Sequence, residues 1–182
     1  SNTQNFDALV PTGSATWTNN STILNWYSER TGTGTTYIAN DGSTNAGGLY
    51  SYGTGSNSER ALGTVGSGSV GNFAQGILLK NISGTTITDI KVTYTLEQWR
   101  NSAAAAQSLT FYYKTSSSII TSLNPNNNTG WTQVTGLTLN SPIIGGTAGS
   151  LNGNAGANKI TATNISIPSL SLLDNEYIML KW

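Results

Sequence analysis

Cysteine and histidine are both absent from the 182 residues. Without cysteine the fold contains no disulfide, and no thiolate can hold a metal. Without histidine no side chain titrates near pH 7 in its ordinary state, and Ser-His-Asp triads, Cys-His pairs and His-ligated zinc are excluded. Catalysis would have to use carboxylates, lysine or tyrosine, and no spacing among the eight acidic residues singles out a pair. The composition therefore predicts a protein that is not an enzyme and has no cofactor.

Charge is also scarce, at 9% of residues against about 25% in ordinary soluble domains. The net charge is zero and lysine and arginine form no cluster, so no nucleic-acid partner is expected. No run approaches the roughly 20 apolar residues of a membrane helix, which predicts no membrane insertion. Serine, threonine, asparagine and 21 glycines supply the polarity instead. Such a composition favours strands joined by turns.

The chain contains about ten short apolar runs separated by glycine, asparagine and serine. This spacing predicts an all-β, jelly-roll-like antiparallel β-sandwich, formed as a single domain over residues 1–182. The turn sequence "NISGTT" predicts a hairpin between two of the runs, and "SAAAAQ" (102–107) reads as a hairpin loop. The predicted strands are 5–10, 23–28, 35–40, 48–53, 72–80, 86–99, 107–114, 131–139, 158–167 and 176–182.

Strand 86–99 has the clearest alternation of apolar and polar residues. Period two places one set of side chains on the core face and the other on the opposite face. Continued to its end, the pattern predicts that Glu97 and Trp99 point outward. The predicted core set of this strand is Ile90, Val92, Tyr94 and Leu96.

Two glycine-rich stretches match binding motifs only formally. "GSGSVG" (66–71) fits G-x-G-x-x-G, but an apparent strand follows it where a nucleotide site requires a helix. "ANDGSTNAGG" (39–48) offers Asp41 and carbonyl oxygens to Ca²⁺, although one carboxylate makes a poor cage. Both stretches are interpreted as turns, and a structural Ca²⁺ at the second remains an alternative.

Each of the three arginines has a glutamate within three residues. Neighbours on a strand point to opposite faces, so pairing across strands is favoured: Glu59 with Arg100, or Glu97 with Arg60. An arginine–carboxylate pair is geometrically specific and would fix strand register. The first interpretation of these four residues is therefore a set of structural ion pairs.

The second interpretation is a ligand-binding patch formed by Trp26, Tyr27, Trp99, Arg100 and Asn101. Aromatic rings can cover the apolar face of a sugar while neighbouring polar groups meet its hydroxyls. Exposed rings at Trp26 and Trp99 would favour binding, and buried rings would favour the structural interpretation.

Four blocks occur in order: "QNFDALVPTGSATWTNNSTILNWYSER", "GLYSYGTGSNSERALGTVGSGS", "YTLEQWRN" and "LNGNAGANK". Together they resemble a β-sandwich domain of large secreted proteins from Bacteroidetes-type bacteria. Such proteins often carry lamin-tail-like or extracellular nuclease-like modules and use type IX secretion. The resemblance implies a secreted or cell-surface module with no established catalytic role. Similar domains have one more C-terminal strand, and its absence here predicts an open sheet edge.

The sequence therefore predicts a non-catalytic extracellular binding or adhesion module, with glycan as the leading ligand class. Its partners would be a glycan or a cell-surface protein, or else export machinery and neighbouring modules of a longer chain. One alternative is a structural or assembly domain of an exported surface protein or fibre with no small ligand. Another is an accessory domain of a secreted hydrolase whose catalytic part lies elsewhere.

Overall fold

A computed structural model describes residues 1–182 and is an all-β sandwich. Its only helices are two 3₁₀ turns, Thr135–Leu137 and Gly156–Asn158, and no helix is long and apolar enough to cross a membrane. The strands are β1 (Ser14–Thr16), β2 (Trp26–Arg30), β3 (Thr36–Asn40), β4 (Gly48–Tyr52), β5 (Ala61–Val65), β6 (Phe73–Lys80), β7 (Lys91–Glu97), β8 (Arg100–Asn101), β9 (Ser108–Leu109), β10 (Tyr112–Ser116), β11 (Thr132–Gln133), β12 (Leu139–Asn140), β13 (Gly149–Ser150), β14 (Lys159–Ser166) and β15 (Tyr177–Lys181).

The strands form two main sheets and three short ladders. One sheet has the order β1-β3-β4-β5 and the other the order β11-β10-β15-β6-β2. The ladders are β9 with β12, β8 with β13, and β7 with β14. Every pair is antiparallel except β3 with β4.

The C-terminal strand β15 lies in the interior of the five-stranded sheet, between β10 and β6. Both of its edges are paired, so no open edge runs along it. Ile178 and Leu180 face the main core, and Met179 and Lys181 are buried on the other face. A segment between β10 and β11 covers that second face, where it contributes Ile120 and Leu123 to a smaller apolar cluster.

The main core confirms the predicted alternation over residues 90–96, although the strand itself spans only Lys91–Glu97. Val92 is buried in the core cluster, and Ile90, Tyr94 and Leu96 pack against it. The polar partners Lys91, Thr93 and Thr95 are exposed.

The predicted hairpin through "NISGTT" is wrong. β6 pairs with β2 and β15, whereas β7 pairs with β14. The buried side chain of Asn81 donates to Thr85 O at 2.7 Å and to Leu172 O at 3.0 Å. These bonds direct the chain away from β6 to a different ladder, so the turn does not reverse it onto its neighbour.

Two smaller predictions also need correction, and one strand was missed. Residues 5–10 form a turn, with Leu9 N donating to Phe6 O, because Phe6 takes a positive φ of 64° that a strand does not allow. Residues 102–107 are a loop, as expected, but the strands on either side pair elsewhere, so it is not a hairpin loop. Strand β5 lies outside the predicted strands, because its sequence "ALGTV" is short, contains Gly63 and lacks a clear alternation of apolar and polar residues.

Candidate functional site

The candidate site is the Glu97–Asn101 segment, which joins β7 to β8. β7 ends at Glu97, and β8 begins at Arg100. The register of the segment is held on both sides. Gln98 N donates to Asn158 O at 2.8 Å, and Leu151 N donates to Trp99 O at 2.9 Å.

Trp99 is only 4% exposed, so the prediction that it points outward is wrong. Its indole stacks on Tyr52 with 5.9 Å between ring centroids and 7° between ring planes. On Gly153 a Cβ would overlap the indole, so the missing side chain there allows close backbone approach. The indole Nε1 donates to Glu97 Oε2 at 2.9 Å. The strand alternation breaks here because β7 has ended and the chain turns Trp99 inward.

Arg100 and Asn101 use their side chains to hold loop backbone. The Arg100 guanidinium donates to Gly42 O at 3.0 Å and to Ser43 O at 3.2 Å. The Asn101 amide donates to Gly145 O at 2.7 Å and to Thr147 O at 3.1 Å. Each of these bonds satisfies a carbonyl oxygen that has no hydrogen-bond partner in a strand. Together the bonds connect two distant loops to β8.

The predicted cross-strand ion pairs do not form, because the charged groups use other partners. Arg60, 1% exposed, donates through Nε to Ser51 Oγ at 2.8 Å and through its other nitrogens to Ser51 O and Gly55 O. Glu59 is exposed and accepts from the Asn154 amide. The arginines thus stabilise the fold as hydrogen-bond donors to neutral oxygens.

Glu97 carries the only carboxyl group of the segment, and its surroundings shift its pKa. Burial raises its pKa, and the negative charge of Glu59 acts in the same direction. The hydrogen bond from Trp99 and the positive charge of Lys159 oppose the shift. One half-buried acid with an exposed second acid does not supply the mutually supporting roles that acid–base catalysis requires.

Trp26 and Tyr27 lie apart from the Glu97–Asn101 segment. Trp26 stacks on Trp182 in the main core, with centroids 5.7 Å apart, and Tyr27 belongs to the smaller cluster on the opposite face of β2. Trp99 packs in a third cluster. The structure therefore does not bring the five predicted patch residues together, and all of them except Arg100 are buried.

The loop at 39–48, considered for Ca²⁺, has committed several of its oxygens elsewhere. Asp41 Oδ1 accepts from Ser43 N at 3.1 Å, and hydrogen bonds from the Ser43 side chain and backbone lower the pKa of Asp41. The carbonyls of Gly42 and Ser43 face the Arg100 guanidinium. No group of three or more acidic side chains gathers anywhere in the chain. A structural Ca²⁺ stays a prediction without support from the loop's geometry.

A second cluster, which no sequence pattern indicates, is formed by Lys181 with Tyr112, Leu123, Asn128 and Trp131, and we call it the lysine site. Lys181 is 3% exposed. Its Nζ donates to Leu123 O at 3.0 Å and to Asn128 Oδ1 at 2.7 Å. It lies 4.0 Å from the centre of the Trp131 ring and 5.2 Å from that of Tyr112. The lysine site is therefore a polar site inside an apolar cluster, in which two oxygens and two aromatic faces surround a buried ammonium.

The absence of a side chain at Gly76 makes the lysine site possible. Tyr27, Gly76 and Lys181 are adjacent on neighbouring strands, so they share a face of the five-stranded sheet. A Cβ on Gly76 would lie 2.6 Å from Leu123 Cδ2 and 2.7 Å from Leu180 O. Leu123 therefore sits directly over the sheet and encloses the lysine.

Burial lowers the pKa of the Lys181 ammonium to about 8. The negative charge of Glu29 opposes this shift, and the positive charge of Lys114 adds to it. Both groups lie on strands of the same sheet. Burial therefore leaves more of Lys181 in the uncharged, nucleophilic form than is usual for a lysine.

No known protein family, curated protein or solved structure matches the chain significantly.

Proposed function

We propose that this chain is a non-catalytic structural or assembly domain of an exported surface protein. The observation that carries the proposal is the placement of the aromatic rings. None of the tryptophan, tyrosine or phenylalanine side chains is exposed. A sugar-binding surface requires accessible rings, and a spacer or packing domain requires none.

The polar groups of the Glu97–Asn101 segment support the same proposal. The side chains of Trp99, Arg100 and Asn101 all donate to atoms of the protein itself. Binding a ligand with them would break bonds that tie the loops to β8, and each unmet buried carbonyl costs about 1–3 kcal/mol. These residues are better suited to hold the fold than to contact a ligand.

The shape of the surface is consistent with this view. Two surface depressions have volumes of about 260 and 420 Å³ and are lined mainly by polar side chains and glycine. Small-molecule sites are usually apolar concavities with a few convergent polar groups. Neither depression contains a residue of the predicted binding patch.

A glycan array probed with the full chain, with and without Ca²⁺, tests the proposal. We expect no reproducible binding. A glycan that binds, and whose binding is lost in a folded Arg100→Ala variant, would overturn the proposal in favour of the adhesion alternative.

Thermal unfolding of the same variant provides the second readout. Arg100→Ala removes charge-assisted bonds to two carbonyls and should cost about 1.5–3 kcal/mol of unfolding free energy. Lys91→Ala is the matched control, because it removes an exposed cation from the adjoining strand β7. The control should change stability by no more than about 0.5 kcal/mol. Equal effects of the two substitutions would contradict a structural role for Arg100.

A further inference from the structure

The lysine site places an amine against a side-chain amide that is 53 positions away in the chain. Lys181 Nζ lies 2.7 Å from Asn128 Oδ1. A carbonyl bond is about 1.2 Å long, so the amide carbon Cγ lies about 3–4 Å from Nζ. That is close to the separation of reacting atoms at which an intramolecular attack begins.

The amine is held in this position by its surroundings. The bond to Leu123 O at 3.0 Å and the Trp131 ring at 4.0 Å fix the end of the lysine side chain. The Asn128 backbone is anchored as well, since Trp131 N donates to Asn128 O at 3.0 Å, and its side-chain amide is held by the bond from Lys181. Two fixed reactants have a high effective concentration, which lowers the entropic part of the barrier.

The same burial supplies the reactive form of the amine. With a pKa of about 8, roughly one tenth of Lys181 is uncharged at pH 7, against well under a hundredth for an ordinary lysine. Only the uncharged amine has a lone pair to attack with.

We propose that Lys181 and Asn128 are joined by an intramolecular amide bond between Nζ and Cγ, with release of ammonia. The proposal concerns a covalent modification and does not depend on the proposed function. A structural domain without the bond would remain a structural domain.

The reaction balances without any further reagent. Once it has lost a proton, the neutral amine gives up its hydrogen bond to Asn128 Oδ1 and turns its lone pair toward Cγ. It then adds to Cγ, and the bond from Cγ to Nδ2 breaks. One proton passes from Nζ to Nδ2, so that the leaving group departs as NH₃. Asn128 is exposed whereas Lys181 is buried, so ammonia can leave to solvent while the amine stays enclosed. No oxidant, metal or cofactor is consumed.

Glu29 is a positioning residue for this step. Its Oε2 accepts from Ser122 Oγ at 3.1 Å, Leu123 N at 3.0 Å and Asn124 N at 3.2 Å. These bonds hold the segment that carries Asn128 against the sheet. The carboxylate has no hydrogen bond to the amine or to the Asn128 amide, so it acts through the segment it holds.

The consequence for the fold would be a covalent connection between β15, an interior strand, and the segment that covers it. A cross-link that closes a long loop restricts the unfolded chain. It would also keep the covering segment in place when the domain is pulled or heated.

Intact-mass spectrometry of the full purified chain is the test. We expect a mass below that calculated from the sequence by one ammonia, about 17 Da. Tryptic digestion should then yield one branched peptide that contains both Lys181 and Asn128. An unmodified mass after prolonged incubation at pH 8 would overturn the proposal.

Three variants separate the cross-link from other losses of ammonia, such as succinimide formation at an asparagine. Lys181→Arg and Asn128→Ala should both show the full calculated mass, and Asn128→Ala changes an exposed position, so folding should persist. Asn127→Ala, the matched control in the same segment, should keep the loss of about 17 Da. A mass loss that survives Lys181→Arg, or one without the branched peptide, would refute the assignment.

Glu29→Gln distinguishes positioning from chemistry. The neutral amide can still accept from the segment's N–H groups, and loss of the Glu29 charge removes an effect that favours the charged amine, so cross-linking should proceed. Complete loss of the bond in a folded Glu29→Gln variant would assign Glu29 a direct part in proton transfer and contradict the positioning role.

Discussion

Replacing Trp99 with alanine is the sharpest perturbation of the Glu97–Asn101 segment. The ring is almost fully buried, stacks on Tyr52 and donates to Glu97. Buried Trp→Ala substitutions cost about 3–5 kcal/mol, since both the transfer energy and a cavity contribute. We therefore expect the free energy of unfolding to fall by about 4 kcal/mol.

Thermal and urea unfolding of the Trp99→Ala variant measure this loss. For a domain of this size 1 kcal/mol corresponds to roughly 2–4 °C, so Tm should fall by about 8–16 °C. Trp99→Phe is the matched control, because it keeps a ring against Tyr52 and removes the N–H group and part of the ring. It should cost about 1–2 kcal/mol. A loss below about 1 kcal/mol in the alanine variant would refute the claim that Trp99 is a packing residue.

Two other substitutions test the account at separate points. The folded state raises the pKa of Glu97. The carboxyl therefore contributes most to stability below its ordinary pKa of about 4.3. This contribution is lost as the pH rises through the pKa of the folded state. Glu97→Gln should therefore gain stability relative to the unsubstituted protein as the pH rises from about 4 to 7 in urea titrations; a constant difference would contradict the burial of Glu97. Gly53→Ala would place a Cβ 2.6 Å from Glu59 O and against the buried Arg60 guanidinium, which should cost about 1–3 kcal/mol in thermal unfolding. Gly68→Ala, in open space, is its control, and equal Tm values for the two would count against the packing around Arg60.

The strands could be predicted where their own residues carry the signal. In β7 the alternation of Val92, Tyr94 and Leu96 with threonine and lysine reflects one buried and one exposed face. β3 and β4 were also located within one or two residues. Local periodicity identifies β7, whereas β4 is buried along its whole length and is identified by its apolar and aromatic residues between glycines.

Partners across the sheet could not be predicted from the same signals. Lys181 alternates with apolar residues and would ordinarily face solvent, but a segment more than fifty positions away covers it. Trp99 faces inward because of Gly153 and Tyr52, which lie far from it in sequence. Such contacts depend on how the loops close over the sheets, and strand periodicity carries no information about that closure.

The charged residues show the same limit. The sequence indicated that scarce arginines would be partnered, and Arg60 and Arg100 are. Their partners are serine and backbone oxygens. Such oxygens are present throughout the chain, so no sequence pattern identifies which of them an arginine contacts. The expectation of arginine–carboxylate pairs across strands follows from the scarcity of charge and from strand alternation, and neither of them identifies which residues meet across strands.

Amide hydrogen exchange measured by NMR tests the central claim most directly, namely that the Glu97–Asn101 segment is part of the folded interior. The amides of Gln98 and Leu151 are hydrogen-bonded at the two sides of the segment. The account predicts that they exchange as slowly as the interior amides of β6 and β15, through global unfolding. Exchange as fast as that of the exposed loop 102–107 would contradict it, and would indicate a mobile surface segment that could receive a ligand.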